Sequence, residues 1–158
     1  MPEREELLQL DRALLRLRRI WDAPAGIEHE GAVVGGSTLL VCLAVDEHGG
    51  ATAVAEVAAA LGVTPSTASR LVTRATDAGM VLRDTSDADP RRASLRLTGS
   101  GVRLVQASRE FRTGLLARFT ADWPADDLAS LAALLGRFAA AVAAAPRPGP
   151  SGSGAGVA

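Results

Sequence analysis

The 158-residue chain contains no lysine and no tyrosine, a single cysteine (Cys42) and only 3% aromatic residues. One cysteine excludes a disulfide within the chain and suits a reducing compartment, so we expect a cytoplasmic protein. Few aromatics together with much alanine and leucine favour a fold of packed helices. We find no apolar run near the roughly 18 residues of a membrane span, and no signal-peptide hydrophobic region in the acidic start MPEREELL, so no membrane partner is expected.

The net charge is only −1, but the charges are segregated along the chain. No arginine lies between Ile20 and Ser69, where six acidic residues give −6. Between Arg70 and Arg118, ten arginines and five acidic residues give +5. Such segregation can place a basic face on a nearly neutral protein. Arginine replacing lysine on solvated helices would explain the composition but not the gap.

Two helices, predicted over residues 3–21 and from Pro124 onward, carry apolar residues at the 3-4-3-4 spacing of a coiled-coil seam. The two seams could pack together within one monomer. Because the helices are alanine-rich and aromatics are few, pairing with a second chain buries more area, and we expect a homodimer. The residues predicted for dimerisation are Leu7, Leu10, Leu14 and Leu17 in the N-terminal seam and Leu128, Leu131, Leu135, Phe138 and Val142 in the C-terminal seam.

The middle of the chain has the start and stop signals of three further helices. Residues 22–36 are interrupted by glycine and proline and are predicted as a loop, after which Ser37 is expected to cap a helix that reaches about Asp46. Thr52 is expected to cap the next helix, which Gly62 ends. Thr64-Pro65 then opens a helix that runs to about Ala78.

A helix-turn-helix followed by a hairpin is the resulting pattern. Residues 81–84 and 94–97 read as two strands around a polar tip, and Thr98 caps a fifth helix that reaches about Thr120. The helix after Pro65 turns an apolar stripe inward and hydroxyls and arginines outward. A major groove admits one such helix, and arginine suits guanine O6/N7 and phosphate. The predicted contacts on this helix are Thr64, Ser66, Thr67, Ser69, Arg70, Thr73 and Arg74.

From Ser37 to Val105 the chain resembles the MarR family of bacterial transcriptional regulators. The resemblance is carried by LGVTPSTASRLVTRATDAGMVLRD, by the wing DADPRRASLRLT and by the LTGSG that begins the fifth helix. It implies that Arg91 in the wing reaches DNA, that Asp89 holds its orientation, and that Arg92 adds a phosphate contact. Pro90 departs from the polar residue more common there. The resemblance also implies N- and C-terminal helices that interlock between two chains.

Proteins of this family often bind a small ligand between the dimer helices and the winged domain. The resemblance places such a pocket at Trp21, Val41, Cys42, Val45 and Arg109. Cys42 has no basic neighbour in sequence, so we expect a buried, inert thiol rather than an oxidant sensor. Glu28, His29 and Glu30 could bind a divalent metal, but adjacent residues of a loop converge poorly, and we expect no metal and no cofactor.

We therefore predict a mainly α protein, with a winged helix-turn-helix domain between N- and C-terminal dimerisation helices. Its parts are a dimerisation helix and loop (1–36), the DNA-binding domain (37–98), the C-terminal dimerisation helices (99–145) and a disordered tail (146–158). The expected function is a sequence-specific regulator of double-stranded DNA, a ligand-released repressor acting as a homodimer on an inverted repeat. The alternative is a winged helix that serves only protein contacts. We find no nucleophile with a paired base and no phosphate loop, so no enzyme is expected.

Overall fold

The computed structural model describes the backbone of residues 4–21, 26–86 and 89–145, and the side chains of residues 4–17, 27–84 and 94–145. One compact unit is Met1–Phe111 and the other is Arg112–Ala158. The helices and strands are, in chain order, α1 Arg4–Trp21, β1 Gly26–His29, β2 Ala32–Gly35, α2 Gly36–Glu47, α3 Val54–Leu61, α4 Pro65–Asp77, β3 Val81–Ser86, β4 Asp89–Leu97, α5 Gly99–Phe119 and α6 Ala125–Ala144. The mainly helical fold with one β wing confirms the predicted class.

The helix-turn-helix consists of α3, a short turn and α4. Gly62 ends α3 in the left-handed region, with φ of 68°, where glycine carries no steric cost. Thr64 then caps α4, because its side chain accepts a hydrogen bond from the N–H of Thr67, and Pro65 occupies the first helical position. Both predicted signals are confirmed, and together they fix the angle at which α4 leaves the turn.

The start of α3 differs from the prediction. Ala53, not Thr52, is the N-cap, and its N–H donates to the carboxylate of Glu56 at 2.7 Å. Thr52 is fully buried and pairs with Leu95 through N–H···O bonds of 3.1 and 2.7 Å. A β-branched residue suits that extended bridge, which ties the turn before α3 to the wing. The prediction that Thr52 caps α3 was therefore wrong.

Residues 26–35 form a hairpin where the sequence predicted a loop. β1 and β2 pair antiparallel, with His29 opposite Ala32. Glu30 and Gly31, the two residues between the strands, have φ of 51° and 79°. Positive φ at both positions matches the tight turn that hairpins favour. The predicted cap of α2 was also wrong: Gly35 is the N-cap, and no side-chain hydrogen bond is made there.

The wing is the β3–β4 hairpin. Val81 lies opposite Leu97 and Arg83 opposite Leu95 in an antiparallel register, which becomes irregular between Asp84 and Ser86. Both strands extend beyond the predicted 81–84 and 94–97 because pairing continues into the polar tip segment. Leu95, fully buried, anchors the base of the wing in the core.

The core of the first unit lies between α2, α4, the wing and the start of α5. α2 contributes Val41, Cys42 and Val45, and α4 contributes Val72 and Ala75. The further core members from the wing and α5 include Val81, Leu95, Leu104 and Val105. α4 therefore buries one stripe, as the sequence predicted, and its opposite face is left at the surface.

The LTGSG segment joins α4, the wing and α5 at one point. Thr98 Oγ1 donates to Gly79 O at 2.7 Å and accepts from Gly101 N–H at 3.0 Å, which confirms Thr98 as the cap of α5. Gly101 lies so close to the chain end of α4 that a Cβ there would stand 2.1 Å from Met80 O. Only glycine permits this approach.

The second unit contains the end of α5 and all of α6. α5 ends at Phe119 and α6 begins after Pro124, as predicted. α6 buries none of its residues in the single chain. It is long and apolar enough, by length and composition alone, to cross a membrane, although Arg137 interrupts its apolar residues and no uninterrupted apolar run is that long. This is weak evidence for a membrane, because a helix that packs on a protein partner has the same composition.

Candidate nucleic-acid interface

The outward face of α4 is built by helical spacing. Ala68, Val72 and Ala75 are fully buried. Ser66, Arg70 and Thr73 stand four and three residues apart, so they lie on one stripe of the opposite face, and all three are exposed. Arg74, one turn after Arg70, and Ser69 flank this stripe and are exposed too. We call Ser66, Ser69, Arg70, Thr73 and Arg74 the outer face of α4.

Hydroxyl groups at the start of α4 bond mainly to one another. Thr64 Oγ1 donates to Thr67 Oγ1 at 2.9 Å, and it lies 3.1 Å from Ser66 Oγ. Thr64 has one hydroxyl proton, so Ser66 donates in the second contact and Thr67 keeps its own proton for an outside acceptor. Pro65 has no N–H and Thr64 already caps Thr67. Within the described residues, the N–H of Ser66 and the hydroxyl of Thr67 are the donors left for a phosphate at this helix end.

Arg70 and Arg74 differ from three other arginines of the basic segment. No carboxylate among the described residues forms a salt bridge with either of them, although Asp77 is exposed three residues after Arg74. Three other arginines of the segment are paired: Arg96 with Asp84 at 3.3 Å, Arg109 with Asp46 at 2.8 Å, and Arg103 with Glu30. The +5 counted from the sequence therefore overstates the basic face, because Glu30 and Asp46, from outside the segment, pair with two of its arginines.

The predicted wing residues fall at the edge of the described structure. The backbone places Asp89 opposite Ser86 and carries Arg91 and Arg92 along β4. Their side chains lie outside the described residues. Arg83, which the sequence analysis did not select, is exposed at the base of the wing on β3. Strand alternation would not have identified it, because a residue two positions after the buried Val81 is expected on the buried side of the strand.

The residues predicted to line a ligand pocket are placed in two different environments. Val41, Cys42 and Val45 are buried in the core, and burial raises the pKa of the Cys42 thiol to about 11. Arg109 is exposed and bound to Asp46. The side chain of Trp21 lies outside the described residues. An open cleft of about 410 Å³ is found in the second unit instead, beside Trp123.

Both histidines bond to backbone carbonyls. His48 Nδ1 lies 2.8 Å from Ala44 O, at the end of α2 where the sequence predicted a turn. His29 Nε2 lies 3.2 Å from Ser100 O. Glu30 accepts from Ser100 Oγ at 2.6 Å and pairs with Arg103, and these contacts lower the pKa of its carboxyl from 4.5 to about 2. The Glu28–Glu30 segment is thus the tip of a hairpin attached to α5, and the described residues contain no cluster of three metal ligands.

The two apolar seams lie at the surface of the single chain. In the N-terminal seam the exposed fractions range from 37% at Leu14 to 53% at Leu7. In the C-terminal seam Phe138 is 41% and Val142 59% exposed, and Leu131 is half-buried. Exposed apolar side chains at this spacing mark a face that has no partner within the described part of its own unit.

Comparisons with known proteins agree with this geometry. Residues 36–93 match the family model described as MarR family. No curated protein matches the chain. A solved structure of the MarR family transcription regulator SP03579 is 23% identical, with a TM-score of 0.66, over 88% of this chain and 91% of that one.

Two further solved structures are similar. BpsR of Bordetella bronchiseptica, whose DNA binding is described as regulated by 6-hydroxynicotinic acid, is 18% identical with a TM-score of 0.60, over 85% of this chain and 98% of that one. The PcaV transcriptional regulator of Streptomyces coelicolor, solved with its natural ligand, is 25% identical with a TM-score of 0.57, over 84% and 91%. The resemblance stated from the sequence is confirmed.

Proposed function

We propose, from the MarR-family winged helix of this chain, that it is a sequence-specific regulator of double-stranded DNA that acts as a homodimer. The observation that carries the proposal is the outer face of α4, where Arg70 and Arg74 have no carboxylate partner among the described residues. A helix of this kind places its N-terminal half against base edges in a major groove. We propose no enzymatic activity and a cytoplasmic location, as is usual for the family.

The arginines and hydroxyls of α4 have separate tasks in this proposal. Arg70 lies at the centre of the outer face and reads a guanine through O6 and N7, with Arg74 one turn further along. Thr67 and the N–H of Ser66 donate to a phosphate. Phosphate contacts fix the register of the helix, and base contacts provide sequence preference.

The wing supplies the neighbouring contacts. We propose that Arg91 enters the adjacent minor groove, where a narrow A·T-rich groove concentrates negative potential. In this proposal Asp89 orients the side chain of Arg91, and Arg92 contacts the phosphate backbone of the DNA. The antiparallel β-bridge between Thr52 and Leu95 supports this arrangement, because it connects the wing to the segment before the helix-turn-helix.

Dimerisation follows from the exposed seams. A second copy would cover the N- and C-terminal seams, and a two-fold axis would set two α4 helices about 34 Å apart, or ~10 base pairs. The operator we propose is therefore a short inverted repeat. The segments 1–36 and 99–145 provide the dimer contacts and 37–98 the DNA contacts, and the predicted tail, 146–158, lies outside the described residues.

Release by a small ligand is the proposed mode of control, with the protein acting as a repressor. The two relatives described with a ligand support it. Arg109 would have to break its salt bridge with Asp46 before it could bind an anionic group of the ligand. Val41, Cys42 and Val45 would then line the apolar side, with Trp21, after an opening of the core. Such a ligand regulates only if it binds the released and the DNA-bound forms with different affinity.

The test is selection of duplexes from a randomised library by the full-length protein, followed by affinity measurements over a range of salt. A DNA-binding protein loses affinity steeply as salt rises, since counterion release accompanies each phosphate contact. Binding without salt dependence or sequence preference would favour the alternative, a winged helix used only for protein contacts.

Arg70→Ala and Arg70→Lys form a matched pair within this test. We expect Arg70→Ala to cost about 1–3 kcal/mol on the selected duplex and to relax preference at one base pair. Arg70→Lys keeps the charge but cannot form the bidentate contact, so we expect this variant to lack the base preference at that position as Arg70→Ala does. Full recovery by lysine would reduce Arg70 to a phosphate contact.

A further inference from the structure

Thr73 is a threonine that lies beside the two arginines on the outer face of α4. It is exposed, on the same stripe as Ser66 and Arg70, and next to Arg74. Its neighbours on this face offer hydrogen-bond donors, since an arginine has five N–H groups and no acceptor. Thr73 therefore lies between two groups suited to guanine, with a different chemistry of its own.

The hydroxyl proton of Thr73 is already used. Oγ1 donates to Ser69 O, one turn back in the helix, at 3.0 Å. A threonine has one such proton, so what remains for a partner is the Cγ2 methyl group and the lone pairs of Oγ1. A phosphate oxygen is an acceptor and gains nothing from either. Thr76 makes the same backward bond, to Val72 O at 3.0 Å, but it is half-buried and cannot serve DNA.

We infer that Thr73 is a specificity-determining residue that contacts the 5-methyl group of a thymine next to the guanine read by Arg70 or Arg74. This inference rests on the proposed function. The thymine methyl is the apolar group that the standard base pairs display in the major groove, and the threonine methyl is among the side-chain groups that recognise it. The bond to Ser69 holds the side chain in place, so little rotamer freedom is lost on contact.

The expected effect is modest and measurable. Removing one buried methyl contact weakens binding about fourfold per half-site, and about fifteenfold when both half-sites of a dimer are changed. Deoxyuridine removes the thymine methyl and leaves base pairing unaltered. It is therefore the matched probe for this contact on the DNA side.

The experiment uses the full-length protein and a duplex selected from a randomised library. Each thymine of the half-sites is replaced in turn by deoxyuridine, and Kd is measured for wild type, Thr73→Ser and Thr73→Val. Serine keeps the hydroxyl and its bond to Ser69 but lacks the methyl. Valine keeps a methyl and lacks the hydroxyl. Circular dichroism melting of the three proteins checks that the fold is unchanged.

We expect one thymine position at which deoxyuridine weakens wild type and Thr73→Val about fourfold per half-site but leaves Thr73→Ser unaffected. Equal losses for wild type and Thr73→Ser at every position, or loss of the discrimination in Thr73→Val, would overturn the inference while leaving the proposed function intact. If no duplex is enriched at all, the proposed function itself fails, and the inference with it.

Discussion

Replacing Gly101 with alanine should destabilise the first unit and disturb the position of α4 relative to the wing. The new Cβ would stand 2.1 Å from Met80 O and 3.1 Å from Met80 C, both backbone atoms that no rotamer change can remove. Met80 O also accepts a hydrogen bond from Thr98 N–H at 3.0 Å, and the hydroxyl proton of Thr98 is shared between Gly79 O at 2.7 Å and Met80 O at 3.2 Å. Backbone must therefore move, and both bonds lengthen.

The size of the effect follows from these contacts. Overpacking costs about 1–3 kcal/mol, and weakening two hydrogen bonds adds roughly 1 kcal/mol each at most. The higher helix propensity of alanine relative to glycine offsets up to about 1 kcal/mol of this loss. We expect a net loss of about 3 kcal/mol, which lowers the melting temperature by roughly 6–12 °C in a chain of this length.

Thermal melting followed by circular dichroism, at equal protomer concentration, measures this loss. Gly99→Ala is the matched control, because its Cβ would meet only the flexible side chain of Arg103, at 3.4 Å. We expect that variant within about 0.5 kcal/mol of wild type. If Gly101→Ala melts at the same temperature as Gly99→Ala, the close approach of α5 to the segment after α4 does not constrain the fold.

Three further predictions concern the dimer, the hairpin tip and the thiol. Leu14→Asp combined with Leu17→Asp should give a monomer in light scattering and abolish binding to the inverted repeat; a persisting dimer would disprove the role of the N-terminal seam. The pKa of Glu30 lies at about 2 in the fold against 4.5 ordinarily, so its contacts contribute stability above about pH 4.5 that is lost as pH falls toward 2. Glu30→Gln should therefore melt with a shallower pH dependence over that range, and an unchanged profile would contradict the assignment. With its pKa raised from 9.0 to about 11, Cys42 should react with iodoacetamide at pH 8 about a hundredfold more slowly in the native protein than in denaturant, whereas rapid native labelling would show that the thiol is accessible.

Features set by nearby residues were predicted well from the sequence. Gly62, Thr64 and Pro65 act within a few positions of one another, through backbone sterics and one capping bond, and the structure has them as expected. The same is true of Thr98 as a cap. The capping bonds of Thr64 and Thr98 are made within three residues, whereas the caps expected at Ser37 and Thr52 on the same local grounds were wrong.

Features that depend on distant residues were missed. Glu30 is an unusual choice at a turn position with positive φ, and it is held there by Ser100 and Arg103, about seventy residues away in sequence. Thr52 looked like a cap, but its partner is Leu95. No local pattern contains such pairings, so the hairpin and the bridge were not foreseeable from composition or periodicity.

The candidate interface shows the same division. Helical periodicity was sufficient to assign the outer face of α4, because the buried and exposed stripes follow from spacing alone. Which arginines form salt bridges was not predictable. Arg96, Arg103 and Arg109 are paired with carboxylates brought to them by the fold.

The attachment of the β1–β2 hairpin to α5 has a mechanical consequence. Ser100, which donates to Glu30, lies between Thr98, whose hydroxyl donates to Gly79 O, and Gly101, which lies close to Met80 O; both carbonyls belong to the segment that follows α4. The first turn of α5 therefore contacts the β1–β2 hairpin on one side and the segment after α4 on the other. A displacement of the β1–β2 hairpin should therefore be transmitted through this turn to the end of α4, and substitutions at Ser100 should disturb both.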